Sequence, residues 1–497
     1  MDIKKKDFKV LFIFPNINSG YSWNPAIQIL SAVLKKEGYP TYSIHIHEQY
    51  GLPYEPEKII RKIKIINPKV IAVTSTIFEY DLMNDLAMHI KKNRIEAFLI
   101  LGGMQATLQP EVFENSYFDS FCIGEGEKPI LKLVDALYEK KDYTMIKSLW
   151  IKKNESIIRN PIDDFIIDLN TLPFFDWEIL DTKKILKNRN GWLSISFSRG
   201  CPFNCSFCVN QALKKIKGVK KYTRRKSPKN AIAELKYLAN LYNINTFNFD
   251  DDLLVLDKKW FLQFAELYKQ EIYDPFKIQY KIEVRADTLD LQVVEYLTLS
   301  GCKEVQIGVE TGDELLRNNI INKKINDDQI KKAIKLVKNN GISVFIFIMF
   351  GIPGETIQSI YKTVNLITEL KPYLIRPTFY VPIPCTPLYE YCIQHNLLRK
   401  DRIIKSHFSE PALRLPTIPD DVLLKRKILL PWYVNRNLGL VKYEEALKQF
   451  SKDSYDQFLN KLNYIVSLDQ SLSKEHENYE HYSYFRNNMN YLVFHNK

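Results

Sequence analysis

The chain has 497 residues, of which 45% are hydrophobic and 26% are charged, and its formal net charge is +12. A chain of this length is too long for one hydrophobic core, so we expect two to four domains. No apolar run is long enough to span a bilayer, and the N-terminus lacks the apolar region of a signal peptide. We therefore expect a cytoplasmic protein with no membrane partner.

The first 150 residues alternate apolar strands with amphipathic helices. The predicted strands are 9–14, 41–46, 70–75, 98–101 and 121–123. Continuous apolar strands joined by helices are typical of a parallel sheet that is covered on both faces. Ligands of such sheets bind at the carboxyl ends of the strands, where the sequence has Ser75-Thr76, Gly102-Gly103 and Gly124-Glu125-Gly126.

Residues 151–190 have weak periodicity and predict a linker. A second strand–helix series occupies residues 191–400, with predicted strands at 192–198, 246–249, 278–285, 304–309, 343–350 and 374–380. Six such units predict a partial (β/α)6 barrel of the TIM-like kind, whose active site lies at the carboxyl ends of its strands. Residues 401–497 are rich in aromatic residues and predict a mainly helical region, which either caps the barrel mouth or only packs against it.

Three cysteines follow the first strand of the second series, in the stretch Ser-Arg-Gly-Cys-Pro-Phe-Asn-Cys-Ser-Phe-Cys. Cys201, Cys205 and Cys208 supply three thiolates, which would leave one iron of a [4Fe-4S] cube without a protein ligand. A structural zinc site needs four ligands, yet no histidine follows closely and Cys302 stands alone. The odd total of seven cysteines also disfavours disulfides. The spacing therefore favours an iron–sulfur cluster with an open iron.

Polar clusters also follow the later strands of this series. They are Asp250-Asp251-Asp252, Arg285-Ala286-Asp287, Glu310-Thr311-Gly312 and Gly351-Ile352-Pro353-Gly354. Because the carboxyl ends of barrel strands meet at one rim, these clusters and the cysteine loop predict a single active site there.

The block from residue 192 to 398 resembles the radical S-adenosylmethionine (SAM) core of the class B proteins of that superfamily. The resemblance implies that Cys201, Cys205 and Cys208 hold a [4Fe-4S] cluster whose open iron chelates SAM. It also implies that Phe207 lies beside the adenine of SAM, that Glu310 lies near the ribose, and that Gly351 and Pro353 line the adenine side. The full set of implied SAM contacts is Phe207, Asp252, Arg285, Glu310, Gly351 and Pro353. The Gly-Gly-Glu motif of many members is absent, and the three aspartates 250–252 occupy its place.

The first segment resembles the cobalamin-binding domain that precedes this core in class B proteins. The resemblance implies a cobalamin site whose residues lie on the strand-end turns and at the start of the first helix: Asn24, Pro25, Ser75, Thr76, Gly102, Gly103, Gln105, Gly124, Glu125 and Gly126. The D-x-H-x-x-G motif, which supplies an axial histidine in other cobalamin proteins, is absent. A flavodoxin-like domain that keeps these turns and binds nothing is the alternative.

The implied function is cleavage of SAM to a 5′-deoxyadenosyl radical, used for cobalamin-dependent methylation of an unactivated carbon. The alternatives are a non-methylating radical cyclase or rearrangement enzyme and a cobalamin-binding protein without turnover. The implied partners are a small-molecule or peptide substrate and a reducing protein such as a flavodoxin or ferredoxin. Only the positive charge favours a nucleic-acid partner, so we do not expect one.

Overall fold

The computed structural model describes residues 4–17, 20, 22–49, 52–217, 222–399, 408, 410–484 and 491–495. The chain forms two compact units. The first comprises Met1–Gly200 and Ala212–Asn245, and the second comprises Cys201–Gln211 and Thr246–Lys497. The cysteine loop thus belongs to the second unit, although the residues on both sides of it belong to the first.

The first unit alternates strands and helices from its start, as the sequence predicts. Its elements are β1 (Val10–Pro15), α1 (Pro25–Lys36), β2 (Thr41–Ile46), α2 (Pro56–Ile66), β3 (Val70–Thr74), α3 (Tyr80–Lys92), β4 (Phe98–Gly102), α4 (Met104–Leu108), β5 (Ser120–Cys122), α5 (Glu127–Tyr138), β6 (Leu149–Lys153), β7 (Ser156–Arg159), α6 (Thr182–Asn188), β8 (Trp192–Ile195), β9 (Ser198–Arg199), α7 (Val209–Lys217, whose first residues belong to the second unit), β10 (Arg224–Arg225) and α8 (Pro228–Leu241).

One sheet of the first unit has the strand order β2-β1-β3-β4-β5-β6-β7. The pairs from β2 to β5 are parallel, and β6 and β7 add an antiparallel edge. β1 is buried along its whole length and β3 along almost all of it, as expected of a sheet covered on both faces. The chain reverses its direction of travel across the sheet between β1 and β3, which is where such sheets form their ligand crevice.

The second unit continues the strand–helix series. Its further elements are β11 (Thr246–Phe249), α9 (Lys258–Tyr268), α10 (Asp274–Phe276), β12 (Gln279–Val284), α11 (Leu291–Leu299), β13 (Cys302–Glu310), α12 (Asp327–Asn339), β14 (Ser343–Phe350), α13 (Ile357–Leu370), β15 (Leu374–Phe379), α14 (Pro387–Gln394), α15 (Asp420–Ile428), α16 (Leu430–Asn437), α17 (Val441–Phe450), α18 (Tyr455–Asn460), α19 (Leu462–Glu475), β16 (His481–Tyr484) and β17 (Leu492–His495).

Strands β11 to β15 of the second unit are parallel and adjacent in chain order, which is the arrangement of a (β/α) barrel wall. β17 pairs antiparallel with β15, and β16 pairs antiparallel with β17. The sequence did not indicate this hairpin, because the aromatic segment that forms it is short and follows a series of helices. Aromatic residues nevertheless suit strands, and Tyr482 and Phe494 face each other across the hairpin.

The predicted fold class is confirmed: a mainly parallel sheet with helices, a parallel (β/α) series and a mainly helical C-terminal region. Among the described residues, no helix is both long enough and apolar enough to cross a membrane.

The C-terminal region buries a lysine in its first helix. Lys427 on α15 is 4% exposed, its Nζ donates a hydrogen bond to the carbonyl of Phe408 at 2.6 Å, and it lies 4.9 Å from the ring centroid of Phe379. Burial lowers the pKa of Lys427 from 10.5 to about 7, because removing an ammonium from water disfavours its charged form.

We expect the substitution Lys427→Met to stabilise the protein at neutral pH. The pKa is depressed in the folded state, so the unfolded chain binds more protons between pH 7 and 10.5 and wild-type stability rises with pH across that window. The gain in unfolding free energy should be at most about 4 kcal/mol at pH 7 and should shrink towards pH 10. Urea titrations at several pH values measure it. The exposed Lys452 provides the control Lys452→Met, and an equal gain in that variant would contradict the explanation.

Candidate active site

The cysteine loop gathers three thiols at its surface. Cys201, Cys205 and Cys208 are each partly exposed, and the backbone N–H of Cys208 donates to the carbonyl of Cys205 at 3.1 Å. Burial, the carboxylate of Asp252 and the other two thiols together raise the pKa of Cys201 to about 11. Burial also raises the pKa of Cys208, with Asp252 and Cys205 contributing. The three sulfurs therefore lie close enough to influence one another's charge.

Backbone hydrogen bonds hold this loop at its centre. Ser206 donates its N–H to the carbonyl of Ile321 at 2.8 Å and its hydroxyl to the carbonyl of Ile320 at 2.5 Å. Its own carbonyl accepts from the N–H of Leu388 at 3.0 Å. The side chain of Asn322 adds a bond to the carbonyl of Asn204 at 2.8 Å. The sequence did not predict these bonds, because their acceptors are main-chain carbonyls, which every residue type provides.

Arg285, predicted as a SAM contact, lies against the cysteine loop. Its Nη1 donates to the sulfur of Cys205 at 3.6 Å, and its guanidinium lies 3.6 Å from the ring centroid of Phe203. Asp287 accepts two bonds from it, each of 3.0 Å, and the carbonyl of Lys323 accepts a third of 2.7 Å. The guanidinium is thus fixed in position beside one sulfur of the triplet.

Asp252 also joins the cysteine loop, as predicted from its place after the second strand. Asn210 donates from its side chain to Asp252 at 2.8 Å and to the sulfur of Cys208 at 3.8 Å. The amide therefore connects a thiol of the triplet with a rim carboxylate. Asn210 was not among the predicted site residues, although it lies two positions after Cys208.

Glu310 ends β13 with a left-handed backbone at φ 68°, after a register shift between Gly308 and Glu310. Its carboxylate accepts a 2.6 Å bond from Lys323, and both side chains are largely buried. A Cβ at Gly308 would lie 2.4 Å from the Glu310 Oε1 and 2.6 Å from the Lys323 Nζ. A glycine is therefore needed at 308 to leave room for this ion pair.

The turn after β14 contains Gly351 and Pro353. Gly351 has φ 78° and donates its N–H to the carboxyl of Glu355 at 2.6 Å. Burial raises the pKa of Glu355 to about 8. A Cβ at Gly351 would lie 3.5 Å from Leu423 of α15, and Thr417 donates its hydroxyl to the carbonyl of Glu355. The C-terminal region therefore packs over the carboxyl end of β14.

Glu283 on β12 is a barrel residue that the sequence analysis did not single out. Burial and the charges of Asp250 and Asp252 raise its pKa to about 7, although Arg376 on β15 acts in the opposite direction. Residues 281 and 283 of this strand and residue 285 directly after it are all charged, and that alternation was the available signal for a polar face.

A cavity of about 370 Å³ lies in the first unit. Six of the ten predicted cobalamin residues line it: Pro25, Gly102, Gly103, Gly124, Glu125 and Gly126. Asn24, Ser75, Thr76 and Gln105 are not part of its wall. Asn24 has a local role instead, since its side chain accepts from the N–H of Ile27 and caps α1.

Two glycines of the cavity wall, Gly103 and Gly124, have a backbone conformation that favours glycine. Gly103 has φ 93°, and a Cβ there would lie 2.8 Å from the carbonyl oxygen of Ser75. Gly124 has φ 88° and donates its N–H to the hydroxyl of Thr107 at 3.0 Å. Both turns thus bring bare backbone to the cavity, where a bulky ligand can approach closely.

An ion-pair network closes one side of this cavity. Glu125 accepts from Arg199 at 3.1 Å and from Arg224 at 2.8 Å, and Glu127 accepts from Arg199 at 2.5 Å. Burial alone would raise the pKa of Glu125, but the two arginines and the N–H of Ile166 outweigh it and hold that pKa below its usual value. The carboxylate predicted as a cofactor contact is therefore already engaged within the protein.

We expect Glu125→Gln to lower the free energy of unfolding by about 2–4 kcal/mol at pH 7, because it leaves two guanidinium groups without their shared carboxylate. The pKa of Glu125 is depressed in the folded state, so its stabilisation is complete above about pH 4.5 and is lost as the pH falls through the folded-state value. Urea unfolding measures the difference. Glu114→Gln, which breaks the exposed pair with Arg159, should cost less than about 1 kcal/mol, and equal losses would contradict the explanation.

The donor set at the cysteine loop suits an iron–sulfur cube. In the part of the chain that the structure describes, no three His, Cys, Asp or Glu side chains converge as they do around a single metal ion. A cube differs, because each cysteine binds a separate iron at its own corner. Three partly exposed thiols with the N–H groups of Arg285 and Asn210 at two of their sulfurs fit that requirement.

Comparison with protein families gives two matches. Residues 195–367 match the sequence model of the radical SAM superfamily, and residues 18–134 match that of the B12 binding domain. An uncharacterized methyltransferase of Pyrococcus horikoshii is 27% identical over 383 residues, which cover 76% of this chain and 81% of that protein. The anaerobic magnesium-protoporphyrin IX monomethyl ester cyclase of Cereibacter sphaeroides is 27% identical over 402 residues, which cover 77% of this chain and 63% of that protein.

Two solved structures share the fold. The radical SAM methyltransferase TsrM from Kitasatospora setae, with tryptophan substrate and a SAM analogue bound, matches with a TM-score of 0.63 at 18% identity, over 79% of this chain and 77% of that one. The cobalamin-dependent SAM radical enzyme OxsB, with aqua-cobalamin bound, matches with a TM-score of 0.64 at 16% identity, over 94% of this chain and 74% of that one.

Proposed function

We propose that this chain, which carries a radical SAM domain after a B12-binding domain, is an enzyme that cleaves SAM and transfers a methyl group to an unactivated carbon. The three gathered thiols of the cysteine loop are the observation that carries the proposal. They match the family's requirement for a cluster with one open iron, and they lie within the segment that the radical SAM model covers. An uncharacterized methyltransferase among the relatives supports the choice of reaction.

The proposed cofactors are a [4Fe-4S] cluster, SAM and cobalamin. When bound, they supply the electron, the 5′-deoxyadenosyl radical and the methyl group of the reaction. Cys201, Cys205 and Cys208 would hold the cluster. Ser206 keeps their loop in place through three hydrogen bonds to main-chain groups of other segments. A one-electron donor such as a flavodoxin or ferredoxin is the implied protein partner.

Hydrogen bonds connect three of the predicted SAM residues to this loop. Asp252 and Arg285 contact it through Asn210 and Cys205, and Glu310 connects to Arg285 through Lys323, which binds both. The turn at Gly351 is closed by Glu355, whose raised pKa leaves its carboxyl largely protonated at neutral pH. These contacts position a polar cosubstrate and shield it from water. Binding and orientation are what the protein contributes to radical chemistry.

In the first unit, the cavity beside the glycine turns is the proposed place for part of cobalamin. Its wall contains the bare backbone of Gly102, Gly103, Gly124 and Gly126. We assign to this cavity the part of the cofactor that lies against these turns. Gly103, at φ 93°, and Gly124, at φ 88°, hold the turns in the left-handed region of the backbone.

A radical cyclase is the second candidate. The cyclase of Cereibacter sphaeroides is as similar in sequence to this chain as the methyltransferase relative is, at 27% identity in each case. The two reactions differ in their products. Methylation consumes two SAM molecules and yields a methylated product, whereas cyclisation yields 5′-deoxyadenosine without methyl transfer.

We expect Cys205→Ala to abolish SAM cleavage. Two thiolates cannot hold the cube with the required three corners, so iron and sulfide content after anaerobic reconstitution should fall sharply and 5′-deoxyadenosine formation should be lost. Cys302→Ala is the control, since Cys302 is a buried thiol at the start of β13 and its loss should leave iron content unchanged. A Cys205→Ala protein with wild-type iron content would refute the ligand assignment.

We expect Gly102→Leu to remove cobalamin binding while the iron–sulfur content stays at the wild-type level. A Cβ at Gly102 meets only the Cβ of Cys122, at 3.9 Å, so the backbone tolerates a side chain that then fills the cavity. Corrin absorbance after incubation with hydroxocobalamin and gel filtration should fall at least tenfold. Gly102→Ala, whose methyl group occupies little of the cavity, should bind nearly as wild type, and wild-type binding by the leucine variant would remove the assignment.

A further inference from the structure

Arg285 lies where it can adjust the electronic properties of a cluster that it does not ligate. Its Nη1 donates to the sulfur of Cys205 at 3.6 Å, which is within the range of an N–H···S hydrogen bond. Only 6% of the residue is exposed, so the interaction is poorly screened by water. Hydrogen bonds to cluster sulfurs are among the features that set the reduction potential of iron–sulfur centres.

The arginine has little freedom to leave this position. Asp287 binds Nε and Nη2 at 3.0 Å each, the carbonyl of Lys323 binds Nη2 at 2.7 Å, and Phe203 of the cysteine loop covers its guanidinium face at 3.6 Å. Nη1 is the nitrogen that points to Cys205. A pre-oriented donor costs no further ordering when the sulfur becomes a cluster ligand.

The same arginine is joined to the residue predicted to approach the ribose of SAM. Lys323 gives its carbonyl to Arg285 and its ammonium to the carboxylate of Glu310 at 2.6 Å. The bonds therefore form a continuous series from Glu310 through Lys323 and Arg285 to Cys205.

We infer that Arg285 is a positioning residue that raises the reduction potential of the cluster by hydrogen bonding to the Cys205 thiolate, an inference that rests on the proposed function. One-electron reduction takes the cluster from [4Fe-4S]2+ to [4Fe-4S]+ and increases the negative charge on its sulfurs. A guanidinium N–H at one sulfur stabilises the reduced form more than the oxidised form. Removing it therefore makes reduction harder.

The test is a redox titration of the reconstituted full-length protein, with dithionite as the electron donor and electron paramagnetic resonance of the reduced cluster as the readout. In Arg285→Lys, the ratio of reduced to oxidised cluster at a fixed potential should fall at least tenfold, which is about 59 mV for a one-electron couple.

Arg376→Lys is the matched control, because it makes the same exchange at another barrel guanidinium, one that contacts the rings of Phe408 and Tyr491. Its shift should be much smaller than that of Arg285→Lys. An unchanged potential in a cluster-containing Arg285→Lys protein, or an equal shift in the control, overturns the inference and leaves the proposed function intact. If the wild-type protein assembles no [4Fe-4S] cluster, both the inference about Arg285 and the proposed function are refuted. Measured iron and sulfide content distinguishes that result from the others.

Discussion

Keeping three thiols close together in a partly buried loop is the constraint on which the second unit depends. Proximity and burial both disfavour thiolates, as the raised pKa values of Cys201 and Cys208 show. Electrostatics therefore does not favour gathering these cysteines, so other contacts must give the loop its shape. The backbone bonds of Ser206 and the stacking of Phe203 on Arg285 supply that shape. Ligand binding then replaces protons by metal on groups that are already in place.

The first unit also holds acidic groups in a largely buried place, beside its cavity. Glu125 and Glu127 lie beside a cavity with many apolar wall residues, where isolated carboxylates would be costly. Arg199 and Arg224 compensate both of them, and the guanidinium of Arg224 also lies 4.4 Å from the ring centroid of Phe165. Arg199 precedes Cys201 by two positions in the chain. The residue that pairs with both carboxylates is therefore close in sequence to the cysteine loop.

The sequence predicted what local patterns encode. Apolar runs and helical spacing located β1 to β5, β8 and β11 to β15, and the cysteine spacing located the loop. They did not locate the edge strands β6 and β7 or the short strands β9 and β10, and β7 and α6 lie within the segment predicted as a linker. The sequence did not predict contacts between distant segments. The partners of Glu125, for example, are 74 and 99 positions away in the chain, and no sequence motif links either arginine to it. The anchor of Ser206 on the carbonyls of Ile320 and Ile321 was equally hidden, because any residue type provides a carbonyl.

The inward face of the second unit's sheet shows how function limits its packing. Barrel interiors are normally filled by branched apolar side chains, yet β12 and β13 place Lys281 and Glu304 there, 6% exposed each and joined by a 2.9 Å bond. On the same strand as Lys281, burial and the charges of neighbouring aspartates raise the pKa of Glu283 to about 7. A charged pair deep in the sheet adds less stability than apolar packing would. The sheet therefore keeps charged side chains at buried positions where apolar residues would stabilise it more.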